Sequence, residues 1–224
     1  MSIMASGRLV VVISGSGSNL QAIIDGCNDG SIPGEICAVV SNNPDVYGLK
    51  RAENAGLKTA VLNHRNYGTR EAYDYSLAEL IDGYSPDLIV LAGFMRILTP
   101  DFVRRYKGKL LNIHPSLLPK YPGLHTHQRA LEAGDSEQGA TVHFVTEELD
   151  GGPPIVQGAI TIEQNDDEDS LAQKVQSQIE HKIYPLAVAW CLNGRLKLTP
   201  KGAAILDEKQ LPATGYQYHS NANN

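Results

Sequence analysis

Short apolar runs alternate with longer amphipathic stretches along the first half of the chain. The runs are continuously apolar or rich in β-branched residues, and they span residues 9–13, 36–40, 59–62, 88–92 and 110–113. Strands that are buried on both faces of a parallel sheet have this kind of sequence. The stretches between the runs predict helices at residues 19–29, 46–55, 70–84 and 101–106. This order predicts an α/β fold with a Rossmann-like, doubly wound and mostly parallel sheet flanked by helices.

The second half has a different pattern, which predicts an antiparallel addition to the sheet. Residues 114–123 contain three prolines and predict an irregular loop, followed by a short helix at residues 126–133. Residues 140–145 and 155–162 predict two strands, which are joined through the turn sequence Asp-Gly-Gly-Pro at residues 150–153.

A long helix is predicted towards the carboxyl end, at residues 170–191. Its apolar residues are spaced four apart, so that one face packs on the sheet: Leu171, Val175, Ile179 and Ile183. Ser170 and Gln173 are expected to form a capping box at its start. Pro185 is expected to kink or divide the helix.

The chain is interpreted as one domain over residues 1–224. Its first half, about residues 8–114, holds the parallel strands, and its second half covers about residues 115–212. A polar tail follows at residues 213–224, and it is expected to be frayed from Gly215 onward.

The charge balance excludes some classes of partner. The chain has 224 residues, of which 42% are hydrophobic, and a formal net charge of −6 at pH 7. Clustered Lys and Arg hold nucleic acid and anionic membranes, so an acidic balance argues against both. A small anionic ligand stays compatible, because it senses only the local field of its pocket. The expected partners are small molecules, and the chain is expected to be a monomer or a weak homodimer.

The cysteines point to a reducing compartment. Cys27, Cys37 and Cys191 are odd in number, widely spaced and outside any Cys-x-x-Cys pair, so neither a disulfide framework nor a cysteine zinc site is expected. The apolar run at residues 9–13 is too short for a signal peptide, and no run approaches the roughly 20 residues that span a bilayer. We expect a cytoplasmic protein.

A glycine-rich turn follows the first predicted strand. Residues 14–19 read Ser-Gly-Ser-Gly-Ser-Asn and open the first predicted helix, where free backbone N–H groups and the helix dipole favour an anion. A dinucleotide fingerprint would need a third glycine where Leu20 stands, and the Gly-Lys-Ser or Gly-Lys-Thr of a triphosphate loop is absent. Two interpretations remain: a site for a single phosphate, and a tight strand-to-helix turn without a ligand.

Asn112 and His114 end the fifth predicted strand and project to the same face, because side chains alternate along a strand. Ligands of open α/β sheets bind beyond the carboxyl ends of the strands. An amide donor beside an imidazole suits a developing oxyanion, but a histidine that only caps the strand end fits equally well. Asp150 belongs to a turn sequence, and it favours an imidazolium at His114 only if the fold brings the two side chains together.

The remaining histidines raise a metal alternative. His125, His127 and His143 could supply three imidazoles, but no carboxylate and no known ligand spacing supports such a site. We expect no metal, and we interpret these histidines as surface or packing residues.

Several strings together make the chain similar to the phosphoribosylglycinamide formyltransferases, or glycinamide ribonucleotide transformylases, in their bacterial monofunctional form. The similarity runs from about residue 8 to residue 216, and two long strings carry most of it: Ala-Gly-Phe-Met-Arg-Ile-Leu at 92–98 and Asn-Ile-His-Pro-Ser-Leu-Leu-Pro at 112–119. The turn at 14–20, His-Phe-Val at 143–145, Asp-Gly-Gly-Pro at 150–153 and Glu-His at 180–181 complete the set.

This resemblance implies a folate-dependent enzyme of purine biosynthesis with two small-molecule substrates. Gly17, Ser18 and Asn19 would hold the ribonucleotide phosphate, and Glu180 would meet the ribose hydroxyls. The family often has a basic residue one turn before this glutamate. Gln176 and Ser177 stand there, so this chain departs from the family pattern.

The resemblance also implies the folate and catalytic residues. The cosubstrate would be 10-formyltetrahydrofolate, with no metal and no tightly bound cofactor. The first half, about residues 8–114, would be the ribonucleotide phosphate-binding half, and the second, about residues 115–212, the folate-binding and catalytic half. The catalytic residues would be Asn112, His114 and Asp150. The folate would contact Arg70, Met95, Arg96, Ile97, Leu98, Asn112, Thr146, Glu147, Glu148, Leu149 and Asp150.

Three rival functions remain in view. A formyltetrahydrofolate deformylase would carry a regulatory domain ahead of the first strand, and a methionyl-tRNA formyltransferase would add a basic carboxyl-terminal domain. The chain is expected to have neither. A non-catalytic phosphate-binding module would need only the glycine turn and would leave Asn112 and His114 without a role.

Overall fold

The computed structural model describes residues 7–219. Eight strands form the main sheet: β1 (Gly7–Ile13), β2 (Gly34–Ser41), β3 (Thr59–Val61), β4 (Leu88–Leu91), β5 (Leu110–His114), β6 (Glu137–Phe144), β7 (Pro154–Thr161) and β11 (Tyr216–Tyr218). Their order across the sheet is β11-β7-β6-β5-β4-β1-β2-β3. The five strands predicted in the first half are confirmed, because their continuous apolar sequence suits burial on both faces.

The helices are α1 (Ser18–Asp29), α2 (Tyr47–Asn54), α3 (Arg70–Asp82), α4 (Pro100–Arg105), α5 (Thr126–Ala133), α6 (Glu168–Val175) and α7 (His181–Leu192), with a short 3-10 helix at His64–Asn66. The alternation of strands with α1 to α4 confirms the α/β prediction. Neither these helices nor any other helix in residues 7–219 is long and apolar enough to cross a bilayer.

The two faces of β1 belong to two different parts of the core. Leu9, Val11 and Ile13 pack with the apolar residues of α1 and α7. Val10 and Val12 point the other way and pack with α3 and α4. All five side chains are fully buried, which explains why this strand shows no polar alternation.

The sheet is parallel from β3 to β5, antiparallel from β5 to β7, and parallel again between β7 and β11. Strand β1 pairs in parallel with both β2 and β4, so the chain order reverses between β1 and β4. Strand β6 pairs antiparallel with β5 and with β7, which confirms the predicted antiparallel addition. The reversal between β1 and β4 opens a crevice at the carboxyl ends of these strands, where α/β proteins bind ligands.

The carboxyl-terminal segment is more ordered than the sequence indicated. Tyr216–Tyr218 forms β11 and pairs in parallel with β7, so the prediction of a frayed tail from Gly215 is wrong for these residues. The Tyr216 ring also packs edge-on against Trp190, with centroids 5.4 Å apart. Residues 220–224 of the predicted tail lie outside the described residues. A separate three-stranded antiparallel sheet, β10-β9-β8, is formed by β8 (Leu196–Leu198), β9 (Ala204–Leu206) and β10 (Lys209–Gln210).

The long helix starts and divides at other places than predicted. Asp167 is its N-cap, and it forms the capping box with Ser170, so the predicted Ser170–Gln173 box is wrong. The Asp167 carboxylate accepts from the backbone N–H of Ser170 at 2.8 Å. Aspartate is a preferred N-cap residue because its side chain can accept a hydrogen bond from the first turn of the helix. A π-helical turn at Gln176–Glu180 separates α6 from α7, whereas Pro185 lies inside α7.

Candidate active site

The site lies where β1, β4 and β5 end. The backbone N–H of Ser14 donates to the carbonyl of Gly93 at 3.2 Å, and the Ser14 hydroxyl accepts from the N–H of Met95 at 2.9 Å. These two bonds join the glycine turn after β1 to the segment after β4. The predicted phosphate turn and the predicted folate segment therefore form adjacent walls of one crevice.

Gly17 is the N-cap of α1, and its backbone is left-handed with φ of 72°. A Cβ added there would lie 2.7 Å from the Cα of Gly48, so only glycine fits both the conformation and the contact. No side chain caps the helix, and its first turn carries no acidic residue. The first backbone N–H groups of α1 therefore keep their capacity to bind an anion.

Asn19 and Glu180 meet beside this turn, although 161 residues separate them. The Asn19 amide Nδ2 donates to Oε2 of Glu180 at 2.7 Å, and the two residues are 8% and 7% exposed. Burial raises the pKa of Glu180, while the bond from Asn19 lowers it in part. Oδ1 of Asn19 is buried and has no partner within residues 7–219. The pair thus offers acceptors to a ligand that carries hydroxyl groups.

Asn112 faces His143 across the antiparallel pair β5–β6. His143 donates from Nδ1 to the carbonyl of Phe144 at 3.0 Å, because a carbonyl can only accept. Burial lowers the pKa of His143, which keeps the ring neutral and leaves Nε2 as an acceptor. The Asn112 amide Nδ2 donates to this Nε2 at 3.2 Å. His143 therefore fixes which end of the Asn112 amide carries the N–H groups.

His114 lies between a carboxylate and a carbonyl. Its Nδ1 is 3.4 Å from Oδ2 of Asp150, and its Nε2 donates to the carbonyl of Tyr121 at 2.7 Å. The side chains of His114 and Asp150 are 7% and 8% exposed. Both ring nitrogens face acceptors, an arrangement that suits a doubly protonated ring.

Asp150 lies beside both histidines and is hydrogen-bonded to a neighbouring loop. Its Oδ1 is 3.8 Å from Nε2 of His143, and its Oδ2 accepts from the N–H of Gly123 at 2.9 Å. Its backbone is left-handed with φ of 51°, which aspartate tolerates better than most residues. Asn112, His143, Asp150 and His114 thus form one continuous cluster at the end of β5.

The predicted folate residues fall into three groups. Met95 and Ile97 are 69% and 57% exposed beside the glycine turn, with Arg96 and Leu98 partly buried between and after them. In the second group, Leu149 is 52% exposed next to Asp150, and Glu147 pairs with Arg104 at 2.9 Å. The same loop includes Glu148, whose carbonyl accepts from the Thr146 hydroxyl at 3.4 Å.

Arg70 forms the third group by itself. It is exposed at the first position of α3, and no hydrogen bond or ion pair from its side chain occurs in residues 7–219. The link to the first group is indirect: the Arg96 guanidinium lies 4.8 Å from the ring centroid of Tyr73, on the same helix as Arg70.

The positions expected to depart from the family pattern, Gln176 and Ser177, lie in the π-helical turn. The Ser177 hydroxyl donates to the carbonyl of Gln173 at 2.8 Å, so it satisfies the backbone of its own helix. The other histidines stand apart from any metal arrangement: within residues 7–219, no group of three or more His, Cys, Asp or Glu side chains is placed to hold a metal ion.

Sequence reasoning missed three contributors to the site. It assigns His143 to packing, although the place of this residue opposite Asn112 follows once the β5–β6 register is known. The amino-acid sequence could not indicate the role of the Tyr121 carbonyl, because every residue type has a backbone carbonyl. Arg51, whose Nε donates to the Ser16 carbonyl at 2.9 Å, lies on α2 without a recognisable motif.

Comparison with known proteins shows that the chain is similar to the members of one family. The model of the family "Formyl transferase" matches residues 7–188. The chain is 57% identical over 209 residues to the phosphoribosylglycinamide formyltransferase of Escherichia coli (strain K12), covering 93% of this chain and 98% of that protein. It is 48% identical over 209 residues to the enzyme of the same name from Haemophilus influenzae, with the same coverage.

Solved structures agree with this comparison. The phosphoribosylglycinamide formyltransferase of Coxiella burnetii has a TM-score of 0.90 and 46% identity, and the match covers 95% of this chain and 99% of that chain. The glycinamide ribonucleotide transformylase 1 of Symbiobacterium toebii has a TM-score of 0.88 and 42% identity, with coverages of 92% and 98%.

Proposed function

This chain belongs to the formyl transferase family, and we propose that it transfers the formyl group of 10-formyltetrahydrofolate to the amine of 5-phosphoribosylglycinamide. The products are the formylglycinamide ribonucleotide and tetrahydrofolate, in de novo purine biosynthesis. The relatives that share 57% and 48% identity over almost their whole length carry this activity in their names. The folate is a cosubstrate, and the reaction needs no metal and no tightly bound cofactor.

One observation carries the chemical part of the proposal: the cluster of Asn112, His143, Asp150 and His114 at the end of β5. The glycinamide amine attacks the formyl carbon, and a tetrahedral intermediate with a negatively charged oxygen forms. The C–N bond to N10 of the folate then breaks. One proton leaves the attacking amine and one is gained by the departing nitrogen.

Asn112 is proposed to donate to the oxyanion. One N–H of its amide is engaged by His143, and the second stays available for the developing charge. A donor fixed before the reaction does not need to reorganise as the charge develops, which is the basis of oxyanion stabilisation.

His114 is proposed to stabilise the same oxygen with its positive charge, and Asp150 to maintain that charge. The Tyr121 carbonyl accepts from Nε2 in this arrangement, so direct donation to the oxyanion requires this loop or the ring to shift. Without such a shift, the positive charge of His114 would still stabilise the oxyanion electrostatically. Asp150, 3.4 Å from the ring, is also placed to pass the amine proton on through water.

The two substrates are proposed to occupy adjacent walls of the crevice. The ribonucleotide phosphate binds the N–H groups of Gly17, Ser18 and Asn19, and Glu180 accepts from the ribose hydroxyls. The folate lies against the exposed apolar side chains of Met95, Ile97 and Leu149. Arg70, Arg96, Leu98 and the loop of Thr146, Glu147 and Glu148 complete its proposed surface.

A folate ligand would account for the exposure of these apolar side chains without a protein partner. We therefore propose that the protein is a monomer or a weak homodimer. Sedimentation velocity over a range of protein concentrations tests this oligomeric state. The substrates are small and water-soluble, which favours a cytoplasmic enzyme without nucleic acid or membrane partners.

The Asn112→Ala variant tests the assignment of the cluster. Loss of one oxyanion donor lowers kcat by about 100–1000-fold, while ribonucleotide binding by calorimetry should be retained. His114→Ala should also cut turnover strongly with normal thermal unfolding. Near-normal turnover in both folded variants would reject the assignment. A purely phosphate-binding module would show ribonucleotide binding and no transfer in any form of the protein.

A further inference from the structure

Helix α2 holds the glycine turn from one side through two consecutive carbonyls. The backbone N–H of Gly48 donates to the carbonyl of Gly15 at 3.1 Å. One helical turn later, Nε of Arg51 donates to the carbonyl of Ser16 at 2.9 Å. A Cβ at Gly17 would lie 2.7 Å from the Cα of Gly48, so a glycine at position 17 lets α2 approach the turn closely enough to form both bonds.

These two bonds determine where the next two N–H groups point. In a planar trans peptide the C=O and the following N–H point in opposite directions. Carbonyls of Gly15 and Ser16 that face α2 therefore direct the N–H groups of Ser16 and Gly17 away from α2. Successive N–H groups on one side of a turn form a concave anion site.

The Arg51 side chain is itself held in place. Its guanidinium carbon lies 4.8 Å from the ring centroid of Tyr47, and Nη1 donates to Oε1 of Gln21 at 3.4 Å. No carboxylate within residues 7–219 forms an ion pair with it, whereas the adjacent Lys50 pairs with Glu53 at 3.5 Å. Arg51 thus keeps an uncompensated positive charge beside the turn.

This charge also borders a cavity that extends along α1 from Ser18 to Asp29. The cavity has a volume of about 430 Å³, and its lining includes Ser18, Gln21, Arg51, Ser177 and His181. Burial is the main cause that lowers the pKa of His181; the charges of Lys182 and Arg51 lower this pKa further, and the charge of Asp25 raises it. Ser18 and Arg51 line the cavity next to the glycine turn, and the carboxylates of Asp25 and Asp29 line it farther along α1.

We propose that Arg51 is a positioning residue for phosphate recognition, holding the Ser16 carbonyl on the α2 side so that the Gly17 N–H faces the phosphate. It also adds a permanent positive charge to a helix N-terminus that no side chain caps. The inference rests on the proposed ribonucleotide substrate, and it assigns to Arg51 a role specific to the phosphate group.

The test compares Arg51→Met, Arg51→Lys and Lys50→Gln on two acceptors: 5-phosphoribosylglycinamide and the riboside that lacks its phosphate. Loss of a charge-assisted hydrogen bond should lower kcat/KM of Arg51→Met for the ribonucleotide by about 10–100-fold, through KM. The riboside should be affected less than about 2-fold if the role is specific to phosphate. Arg51→Lys should recover part of the loss, and Lys50→Gln, which removes a neighbouring charge, should match the unaltered protein.

The results separate this inference from the proposed function. An equal loss on both acceptors, or no loss on the ribonucleotide, would overturn the role of Arg51. If the unaltered protein transfers no formyl group, the proposed function fails. Calorimetric binding of the ribonucleotide to the unaltered protein and to Arg51→Met then decides the Arg51 question alone: equal affinity, or no binding to either, overturns it, and a selective loss supports it.

Discussion

The amide of Asn112 donates to Nε2 of His143 across 3.2 Å, and the two residues are direct neighbours on antiparallel strands β5 and β6. The Phe144 carbonyl fixes the proton of His143 on Nδ1, so the acceptor at Nε2 orients the Asn112 amide. A buried neutral histidine therefore prepares the group to which we assign oxyanion stabilisation. This relationship gives His143 an orienting role in the proposed mechanism.

Replacing His143 should weaken catalysis through Asn112. His143→Leu removes the acceptor, so the Asn112 amide can rotate, and we expect kcat to fall by about 10-fold, the effect of one ordinary hydrogen bond. His143→Gln places a side-chain carbonyl near the position of Nε2 and should recover part of the rate. Steady-state kinetics with both substrates measures this. Equal rates for His143→Leu and the unaltered protein would contradict the orienting role.

Asp150→Asn should lower kcat by at least about 100-fold, because it removes the carboxylate to which we assign both the support of a positive charge on His114 and the relay of a proton. Asparagine tolerates the left-handed backbone at this position, so the fold should be retained. Asp169→Asn, which neutralises an exposed carboxylate of α6, is the matched control. Kinetics combined with thermal unfolding checks both variants. A small rate effect in Asp150→Asn would contradict the assignment.

The raised pKa of Glu180 predicts a pH-dependent stability difference. The folded protein binds this proton more tightly than the unfolded chain, so the carboxyl group stabilises the fold fully only below its unfolded pKa. That stability is lost as the pH rises through the folded pKa. Glu180→Gln should therefore become more stable relative to the unaltered protein as the pH rises above about 4.5.

Urea unfolding of both proteins between about pH 4.5 and pH 8 measures this difference. The side-chain amide of the Glu180→Gln variant is never charged, and its carbonyl can still accept from Asn19, so the comparison isolates the ionisation of the carboxyl group. If the difference in the free energy of unfolding between the two proteins stays constant over this range, burial does not raise the pKa of Glu180.

Gly152→Ala should damage both the fold and the site. A Cβ at Gly152 would lie 1.8 Å from the Phe144 carbonyl oxygen, so the loop that carries Asp150 would have to move. We expect a destabilisation of about 1–3 kcal/mol, as for other overpacked positions, together with lower turnover. Gly68→Ala is the control, since a Cβ there meets nothing within 4 Å. Normal turnover in Gly152→Ala would contradict the need for this loop geometry.

The sequence predicted the elements whose signal is local. Continuous apolar runs predicted β1 to β5, and side-chain alternation predicted that Asn112 and His114 share a face. The predicted capping box failed because Ser170 fits two roles in such a box, and the choice between them depends on where the helix starts. The strand at Tyr216–Tyr218 depends on pairing with β7, which a polar local sequence does not signal.

Without the family resemblance, the residues alone predict the site only where a motif is contiguous. The contact between His114 and Asp150 joins two distant positions of the chain through the register of β5 and β6 and the path of the following loop. The pair of Asn19 and Glu180 spans 161 positions. Such contacts follow from tertiary packing, and the family resemblance, rather than spacing, brought these residues together in the prediction.

Amine-dependent loss of the formyl group is the decisive test of formyl transfer by this protein. The assay follows a 10-formylfolate analogue by absorbance, with and without 5-phosphoribosylglycinamide. We expect rapid loss of the formyl group only when the ribonucleotide is present, with one formylated ribonucleotide formed per folate released. Equal loss without the ribonucleotide would make water the acceptor and the protein a deformylase, and no loss in either case would contradict catalysis altogether.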